Sequence, residues 1–413
     1  MDLGKERLIG ADMKHNSEKN PPGRVILCMN GGSSSFKFAL YRMDEGSEHL
    51  IAEGMLDRIG LKSGRLRIAN AGGDVLRQEE CFAQGHRDAV LISLAAFETL
   101  RLPVPDAVGH RLVHGGPDHI NPVVIDPGII ASLKKLIPFA PLHLPGEIMG
   151  IEAAAQRYPG VPQVACFDTG FHRRMPELAQ RFPLARNLWN EGVRRYGFHG
   201  ISYEYIVEKL GAEKSGRMII AHLGNGASMA AVRDGMPLDT TMGFSPTGGF
   251  MMSSRSGDLD PGVLLYLMQE KGYDAPMIER LVNHEAGLLG VSGISPDMKT
   301  LLDKRDAEPD AGLAVDMFCY HLRKQIGALA AVLGGVDTLV FTGGIGERGA
   351  PVRSCVCAGL EYLGVRLDEG MNARHADTIS ASDSACSVRI VPAKEDLVIA
   401  RHTSRLILQK AES

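Results

Sequence analysis

A strand, a Gly-rich turn and a return strand follow one another early in the chain, and this unit constrains the fold most. Residues 24–29 are an apolar run of strand length, and residues 36–41 predict a second strand that contains Lys37. The segment between them is Asn30, Gly31, Gly32, Ser33, Ser34 and Ser35. Glycines let the backbone bend where a Cβ would clash, so hydroxyl and N–H groups can converge on one anion. The pattern predicts a phosphate-binding turn, with a plain hairpin as the alternative.

The same arrangement recurs in the second half of the chain. Strands are predicted over residues 217–221 and 229–233, and Asp234-Gly235 after them is a strong hairpin signal. The turn between the two strands is His222, Leu223, Gly224, Asn225 and Gly226. A Gly-rich loop is predicted after a strand over residues 337–341, and it comprises Gly343, Gly344, Ile345, Gly346 and Glu347. These repeats predict a duplicated domain that holds a nucleotide in the cleft between its halves.

Eight motifs together resemble those of the acetate kinase family, which belongs to the acetate and sugar kinase/Hsc70/actin superfamily. They are residues 30–37, 109–116, 141–143, 167–169, 196–200, 222–226, 254–258 and 343–347, and the likeness runs from about residue 24 to about residue 406. The resemblance implies an α/β fold of two duplicated ribonuclease H-like (actin-like ATPase) domains with an interdomain cleft. It further implies a first domain of residues 24–172 that takes back a C-terminal helix over 396–413, and a nucleotide-binding domain of residues 173–395.

Composition and charge narrow the class of protein. The net charge of −4 does not favour a nucleic-acid partner, and no run of 18 apolar residues predicts a membrane span. The seven cysteines are scattered and odd in number, which favours reduced thiols in a cytoplasmic protein. Residues 1–23 are polar and lack the apolar core of a signal peptide, so we expect a disordered N-terminal extension.

Local patterns predict the elements around the motifs. Helices are predicted over residues 89–100, 127–137, 145–158 and 397–408, and strands over 106–111 and 163–167. Apolar residues from Val315 to Leu333 recur at helical spacing, and Gly334-Gly335 should end that helix. The strand over 163–167 delivers Asp168 to a carboxyl end, where open α/β sheets bind their ligands.

Arginines and histidines in Gly-rich motifs are the candidates for handling two anionic substrates. Arg111 and Arg255 are predicted in loops, where a guanidinium fork could bind carboxylate and phosphate oxygens; a surface ion pair is the alternative. The resemblance assigns both to the active site and places His199 on the transferring phosphoryl group, with supporting roles for His143 and His222. None of the histidines has the spacing of a zinc site.

Asp168 is the candidate acidic residue of the site, although an Asp after a strand can simply cap a helix. A carboxylate substrate is already ionised near neutral pH, so we expect Asp168 to orient an arginine or Mg²⁺ rather than to remove a proton. The resemblance leaves an acid/base role for Asp168 as the alternative. The resemblance points to Asn30 and Glu395 for Mg²⁺, with Mn²⁺ as another possible ion. It also lines a small methyl pocket with Val113, Leu142, Phe198 and Pro246. We expect Val113 to share a face with Arg111, because side chains alternate along an extended segment.

Two further segments complete the nucleotide site implied by the resemblance. They are Asp297, Met298 and Lys299, near the base and ribose, and Arg348 after the Gly-rich loop. Family members commonly have Arg at Lys299 and Asn at Arg348, so the nucleotide preference stays open.

The resemblance implies a homodimeric kinase that moves a phosphoryl group from ATP to acetate reversibly. A kinase for propionate or another short-chain acid is one alternative. A nucleotide-gated binding protein on the actin/Hsc70 fold is another, because a fold alone does not define an activity. A second anion site, formed by Arg111, Arg255 and His199, distinguishes a kinase from such a binder.

Overall fold

The computed structural model describes residues 23–32, 35–212 and 216–412, which form two β-sheets and the helices around them. The first sheet contains β1 (Arg24–Gly31), β2 (Ser35–Asp44), β3 (Ser47–Asp57), β4 (Gly64–Asn70), β5 (Val75–Cys81), β6 (Ala107–Leu112), β7 (Val123–Val124) and β8 (Gln163–Phe167). The second contains β9 (Arg217–Leu223), β10 (Ala227–Arg233), β11 (Met236–Thr240), β12 (Thr338–Thr342) and β13 (Ser387–Ile390).

Helices connect and cover these strands. They are α1 (His86–Thr99), α2 (Pro127–Lys135), α3 (Leu144–Arg157), α4 (Glu177–Gln180), α5 (Arg186–Asn190), α6 (Gly200–Leu210), α7 (Pro261–Glu270), α8 (Ala275–Arg280), α9 (Gly287–Ser292), α10 (Met298–Lys304), α11 (Pro309–Leu333), α12 (Gly343–Arg348), α13 (Ala350–Cys357), α14 (Glu369–Ala373) and α15 (Glu395–Glu412). Among the described helices, none combines the length and the apolar character needed to cross a membrane.

The two sheets share one topology. The first has the strand order β5-β4-β3-β2-β1-β6-β8-β7 and the second β11-β10-β9-β12-β13. In each, three consecutive antiparallel strands form a meander whose first strand pairs in parallel with one further strand, which in turn pairs in parallel with a second. Helices occupy equivalent places: α3 and α13 precede the last parallel strand of their sheets, and α6 and α15 follow it. The duplication predicted from the repeated turns is therefore confirmed.

The layer between the two sheets contains α6 and α15. Parallel strands covered by helices on both faces are apolar throughout, and every residue of β8 is buried accordingly. One buried cluster joins Ile26 of β1, Ile206 of α6, Ile220 of β9 and Ile399 of α15. Since α15 also packs against β2, β6 and β8, the last helix of the chain belongs to the core of the first sheet.

Several predicted elements are confirmed. Strand β8 matches its predicted bounds, and α11 ends at Leu333 with Gly334 in the left-handed region at φ 72°. Asp234 and Gly235 have φ values of 49° and 79°, as the predicted two-residue hairpin turn requires. The helix predicted over 127–137 ends as an α-helix at Lys135, and residues Ile137–Phe139 form a 3₁₀ turn instead. The proposed extension over 1–23 lies almost wholly outside the described residues.

Two placements were wrong. The Gly-rich segment after β12 forms the short helix α12 instead of a loop. His222 lies within β9 although it was expected in a turn, because backbone pairing with β12 continues through it. Arg111 lies within β6, as the strand predicted over 106–111 implies and not in the loop also considered for it. The domain boundaries stay a prediction.

Candidate active site

Three neighbouring parallel strands of the first sheet end at the same edge and bring polar residues together. Asn30 in β1 pairs directly with Arg111 in β6, and Leu112 pairs with Phe167 at the end of β8. Asp168 follows at once, and its backbone N–H donates to the Leu112 carbonyl at 2.9 Å. Strand order and register alone thus place Asn30, Arg111 and Asp168 side by side.

A continuous hydrogen-bonded chain joins these side chains to α15. Arg111 donates to both carboxylate oxygens of Asp168, from Nε at 3.1 Å and from Nη2 at 2.5 Å. Its Nη1 donates to Asn30 Oδ1 at 3.0 Å, and Asn30 Nδ2 donates to Glu395 Oε2 at 2.9 Å. A guanidinium has five N–H groups, so two of them remain for a ligand after these described contacts.

The charges of these hydrogen-bonded side chains depend on one another. Burial raises the pKa of the Asp168 carboxyl, and the paired Arg111 guanidinium offsets part of that effect. Burial also opposes ionisation of Glu395, but Arg111, His222, Asn30 and Lys37 together lower its pKa below the ordinary value. Glu395 is therefore an ionised carboxylate at the N-terminus of α15, next to the side-chain amide of Asn30, whose Nδ2 donates to it.

His199 is held in an unusual backbone conformation at the start of α6. It has φ 59°, in the left-handed region, and the next N–H, from Gly200, donates to the Asp168 carbonyl at 3.0 Å. A Cβ at Gly200 would lie 2.1 Å from that carbonyl oxygen, so only glycine allows this approach. The backbone thereby fixes His199 beside Asp168.

The imidazole of His199 is oriented by two hydroxyl groups. Its Nδ1 lies 2.8 Å from Ser228 Oγ, which lies 2.5 Å from the hydroxyl of Tyr203. If Tyr203 donates to Ser228 and Ser228 to Nδ1, the imidazole carries its proton on Nε2. Burial and the nearby His222, Arg111 and Arg255 lower the pKa of His199 well below its usual range, so the ring is neutral near neutral pH.

His222 stacks on His199, with ring centroids 4.2 Å apart. Its Nδ1 lies 2.9 Å from Ser202 Oγ on α6. Burial lowers the pKa of His222 to about 4, so this ring too is neutral. The two stacked rings join the end of β9 to the start of α6.

Arg255 approaches the same place from the second half of the chain. Its Nη1 donates to the Pro246 carbonyl at 3.2 Å. A Cβ added at Gly226 would lie 3.3 Å from this Nη1 and 3.5 Å from His199 Nε2, so Arg255 and His199 both lie close to Gly226. Burial and the Arg111 charge lower the pKa of Arg255. Burial, Arg255 and Arg111 together lower the pKa of His143 to about 3. Two arginines and neutral histidines therefore make a site suited to anions.

The Gly-rich segments of the second sheet also lie together. Thr342 of β12 pairs with His222 of β9, and Gly343 has φ 76° with the Leu223 carbonyl 2.7 Å from the place of a Cβ. Within α12, Glu347 Oε1 accepts a hydrogen bond from the Gly343 N–H at 3.0 Å. The segments after β9 and β12, both predicted to bind the nucleotide, therefore lie next to each other. Their close approach at Gly343 leaves no room for a side chain.

The turn after β1 differs from its expectation. A Cβ at Gly31 would meet no described atom within 4 Å, so steric need for glycine is not what selects this residue. Gly32 N–H donates to the Ser35 carbonyl at 2.8 Å, which closes a hairpin between β1 and β2. Lys37 is exposed, and its charge acts on Glu395 and His222. Ser33 lies outside the described residues.

The remaining predicted residues are placed less tightly. Asp297 caps α10 by accepting from the Thr300 N–H at 2.7 Å, with Met298 buried and Lys299 exposed. Their contact with a nucleotide stays a prediction, as does that of Arg348. Val113 and Phe198 belong to one buried cluster, whereas Leu142 is 38% exposed. Strand β6 ends at Leu112, so strand alternation does not extend to Val113 as expected.

Sequence reasoning missed several supporting residues. Ser228, Tyr203 and Ser202 orient the histidines, and the buried Glu147 of α3 accepts from the Val113 N–H. Ser228 and Ser202 stand next to predicted motifs, which could have signalled them. Glu147 carries no such signal, because an acidic residue in the first turn of a helix usually faces solvent.

The fold and the site together define a class of protein. The two sheets share a five-strand arrangement, and each has Gly-rich turns at strand ends. A cationic site lies between the predicted nucleotide segments. These features define a kinase with the duplicated actin-like ATPase fold.

Comparison with known proteins agrees with this class. The family model of the Acetokinase family matches residues 25–401. An acetate kinase from Rhodopseudomonas palustris is 47% identical over 397 residues, which cover 92% of this chain and 98% of that protein. The crystal structure of Porphyromonas gingivalis acetate kinase has a TM-score of 0.82 and 40% identity, and covers 93% of this chain and 100% of that one. A propionate kinase from Francisella tularensis has a TM-score of 0.85 and 32% identity, over 92% and 99% of the two chains. The chain belongs to the Acetokinase family.

Proposed function

We propose that the protein transfers the γ-phosphoryl group of ATP directly to acetate, giving acetyl phosphate and ADP, and that the reaction is reversible. The observation that carries this proposal is the meeting of Arg111, Arg255 and His199 at the junction of the two sheets' strand-end turns. A protein that only binds a nucleotide has no use for this second anion site. Membership of the Acetokinase family supports the same activity.

The acid substrate needs no general base. One acetate oxygen attacks the γ-phosphorus while the bond to the bridging oxygen breaks, and ADP leaves with that electron pair. The two unused N–H groups of Arg111 can bind the carboxylate, while Asp168 holds the guanidinium in place. Asp168 thus orients a cation, in keeping with its bidentate pairing.

Catalysis then rests on charge stabilisation around the moving phosphoryl group. Arg255 and the His199 Nε2–H can donate to its equatorial oxygens, and such fixed donors in a buried site stabilise developing charge. Ser228 and Tyr203 align His199 for that task, and burial keeps the ring neutral. The turns at Gly226 and Gly343 can offer backbone N–H groups to the other phosphates.

Asn30 and Glu395 suit the Mg²⁺ that kinases of this kind carry with ATP. Mg²⁺ in nucleotide sites takes few protein ligands besides phosphate oxygens, and here an ionised carboxylate adjoins the side-chain amide of Asn30. The ion, when bound, would neutralise phosphate charge; Mn²⁺ could replace it. Glu395 and Asn30 are held by Arg111, so the metal position and the acid position share one hydrogen-bonded chain.

Trapping of acyl phosphate with hydroxylamine tests the activity. The purified chain is incubated with ATP, Mg²⁺ and, separately, formate, acetate, propionate or butyrate. We expect the most hydroxamate with acetate. Propionate is the second candidate substrate, since the propionate kinase structure has a TM-score as high as that of the acetate kinase structure, although its sequence identity is lower. Absence of hydroxamate with every acid would refute the proposal.

We also propose that the protein is a homodimer. Helix α7 has no buried residue, although Val263, Leu265, Tyr266 and Met268 make it strongly apolar, and each of these side chains is about half exposed. Apolar helix surfaces of this kind commonly mark an interface. Light scattering after gel filtration at micromolar concentration should give twice the 44.5 kDa chain mass; a monomeric mass would contradict the proposal.

The cytoplasm is the proposed location. All seven cysteines are free thiols in the structure, as in proteins of reducing compartments. Cell fractionation with an antibody to the chain tests this, and recovery in an extracellular or membrane fraction would contradict it.

A further inference from the structure

Helix α3 carries a buried carboxyl group next to the acid-binding arginine. Glu147 lies in the first turn of α3 and is only 9% exposed. Its two carboxyl oxygens lie 3.2 and 3.1 Å from the backbone nitrogen of Val113, which donates to them. The hydrogen bond ties α3 to the segment just after β6, the strand that holds Arg111.

Glu147 also lines a small cavity. The cavity has a volume of about 20 Å³, enough for one water, and Glu147 shares its wall with Arg111, His143 and His86. Gly31 and Gly32, from the turn after β1, close another side of it. A buried carboxyl group therefore shares a cavity with the proposed acid-binding cation and with glycines of the proposed phosphate turn.

Titratable and charged groups near Glu147 come from several elements. Strand β6 presents Arg111 and His110, the segment after β8 presents Asp168, α1 presents His86, and His143 precedes α3 itself. Burial lowers the pKa of His110 to about 4 and that of His143 to about 3, so both rings are neutral near neutral pH. Arg111 and Asp168, which form an ion pair, are then the charged groups that act on Glu147.

Burial raises the pKa of Glu147 to about 8, although the Arg111 charge and the Val113 N–H both act to lower it, and Asp168 adds to the rise. Glu147 thus holds a proton near neutral pH and loses it under mildly alkaline conditions. Its neutral form leaves the Arg111 charge to a ligand, whereas its ionised form adds an anion beside the same guanidinium.

We propose that Glu147 is a positioning residue of the acid-binding site, which in its neutral form holds Val113 and leaves Arg111 free to attract the substrate carboxylate. The inference rests on the proposed function, because it takes Arg111 as the group that binds the acid. The ionised carboxylate of Glu147 competes with the substrate for Arg111, so acid binding weakens as Glu147 loses its proton.

The test is the pH dependence of the KM for acetate, measured with saturating ATP and Mg²⁺ between about pH 6.5 and about pH 9.5. In the wild type, this KM should rise above about pH 8, and kcat should change much less. If the ionised form does not bind acetate, the rise approaches about tenfold per pH unit. The KM for ATP, measured alongside, should not follow the same curve.

Glu147→Gln separates the charge from the hydrogen bond, because the amide oxygen can still accept from Val113 but cannot ionise. We expect its KM for acetate to stay flat over the same range. Glu152→Gln is the matched control, an exposed glutamate on the same helix that pairs with Lys134 at 3.1 Å, and it should keep the wild-type profile.

Two results would overturn the proposal: a wild-type KM for acetate that is flat with pH, or a Glu147→Gln profile with the same alkaline rise as the wild type. The wild-type measurement stands even if the variant does not fold. Failure of the proposed function is distinct, since it would show as absence of acyl phosphate at every pH.

Discussion

Arg111 is the residue on which the site depends, because it contacts groups from β1, β8 and, through Asn30, α15. Its pairing with Asp168 is almost fully shielded from water, which strengthens the interaction and fixes the guanidinium plane. Removing either site arginine should therefore lower the catalytic rate far more than removing an arginine from a surface ion pair would.

Arg111→Ala and Arg255→Ala should each lower kcat on the order of 10²–10³, about 3–4 kcal/mol of transition-state stabilisation. The reason is that each removes a cation where charge develops. Steady-state kinetics of the folded variants measures this. Arg366→Ala serves as a control, since its partner Asp383 is a surface contact at 2.8 Å and kcat should be unchanged. A variant of Arg111 or Arg255 with more than half the wild-type kcat would show that the site lies elsewhere.

Val113→Ala should raise kcat/KM for propionate relative to that for acetate. Val113 is buried, and its truncation leaves space that an extra methylene can occupy. A well-packed pocket discriminates one methylene by about 1–3 kcal/mol, roughly 10–200-fold, so the wild type should prefer acetate and use butyrate poorly. The three acids are compared on both proteins. An unchanged acetate-to-propionate ratio would remove Val113 from the pocket, and a wild-type preference for propionate would identify a propionate kinase.

Glu395→Ala should raise the Mg²⁺ concentration needed for half-maximal activity, because one oxygen ligand and one negative charge are lost beside Asn30. A Mg²⁺ titration at fixed ATP measures the change. An identical titration in wild type and variant would exclude Glu395 from metal binding. Turnover that persists in excess chelator would contradict metal dependence altogether.

At the scale of the residue, the sequence could predict the groups that stand in Gly-rich motifs, because such motifs place polar residues at strand ends. It could not predict Glu147 or the hydroxyls behind His199. Those roles arise from contacts between α3 and β6, or between α6 and β10, that no local pattern encodes. It also could not predict that Leu142 is substantially exposed.

Helix α6 shows how an element positions chemistry. Its first residue, Gly200, touches the Asp168 carbonyl, and His199 before it takes the left-handed conformation that turns the chain into the helix. The helix therefore starts where β8 ends, and the imidazole has one permitted position.

Gly200→Ala should displace α6 from β8, because the added Cβ would lie 2.1 Å from a backbone oxygen that cannot move aside cheaply. We expect a loss of about 1–3 kcal/mol in the free energy of unfolding, measured in urea, together with a lower kcat as His199 shifts. Gly85→Ala is the control, because a Cβ there meets open space before α1. Equal stability and kcat in both variants would show that the contact does not position His199.

At the scale of the element, apolar runs predicted the central strands and α11 well, because burial dictates their composition. The polar residues at the ends of strands were harder to assign to an element. Arg111 and His222 continue their strands through backbone pairing with β1 and β12, which a side-chain pattern does not report. The short helix α12 was expected as a loop, since three glycines in five residues disfavour a helix on propensity alone.

The whole molecule distributes the proposed site over both sheets. Asn30, Arg111 and Asp168 come from the first sheet, while His222 and the turns at Gly226 and Gly343 come from the second. The repeated turns predicted this division from sequence. The packing of α15 against the first sheet could be expected only from the family resemblance, since it depends on contacts more than 350 residues apart in the chain.

Binding of ATP and acetate together should draw the two halves closer, because each half contributes charges to the same phosphoryl group and closure excludes water from them. Small-angle scattering should then give a smaller radius of gyration with both ligands than without. Arg111→Ala, which lacks the acid-binding cation, should close less. Identical scattering curves for free and liganded wild type would count against closure.

Helix α15 also has a consequence for how the protein is made. Glu395 and Asn30 are 365 positions apart, yet their side chains are hydrogen-bonded, and α15 fills the layer between the sheets. A ribosome synthesises Asn30 long before Glu395. A nascent chain therefore has the early strands but lacks both the Glu395 carboxylate and helix α15, which covers those strands. We expect a prematurely terminated chain to expose the apolar face of β1 and to lack kinase activity. Degradation systems that recognise exposed apolar surface can therefore remove unfinished copies before any of them consumes ATP.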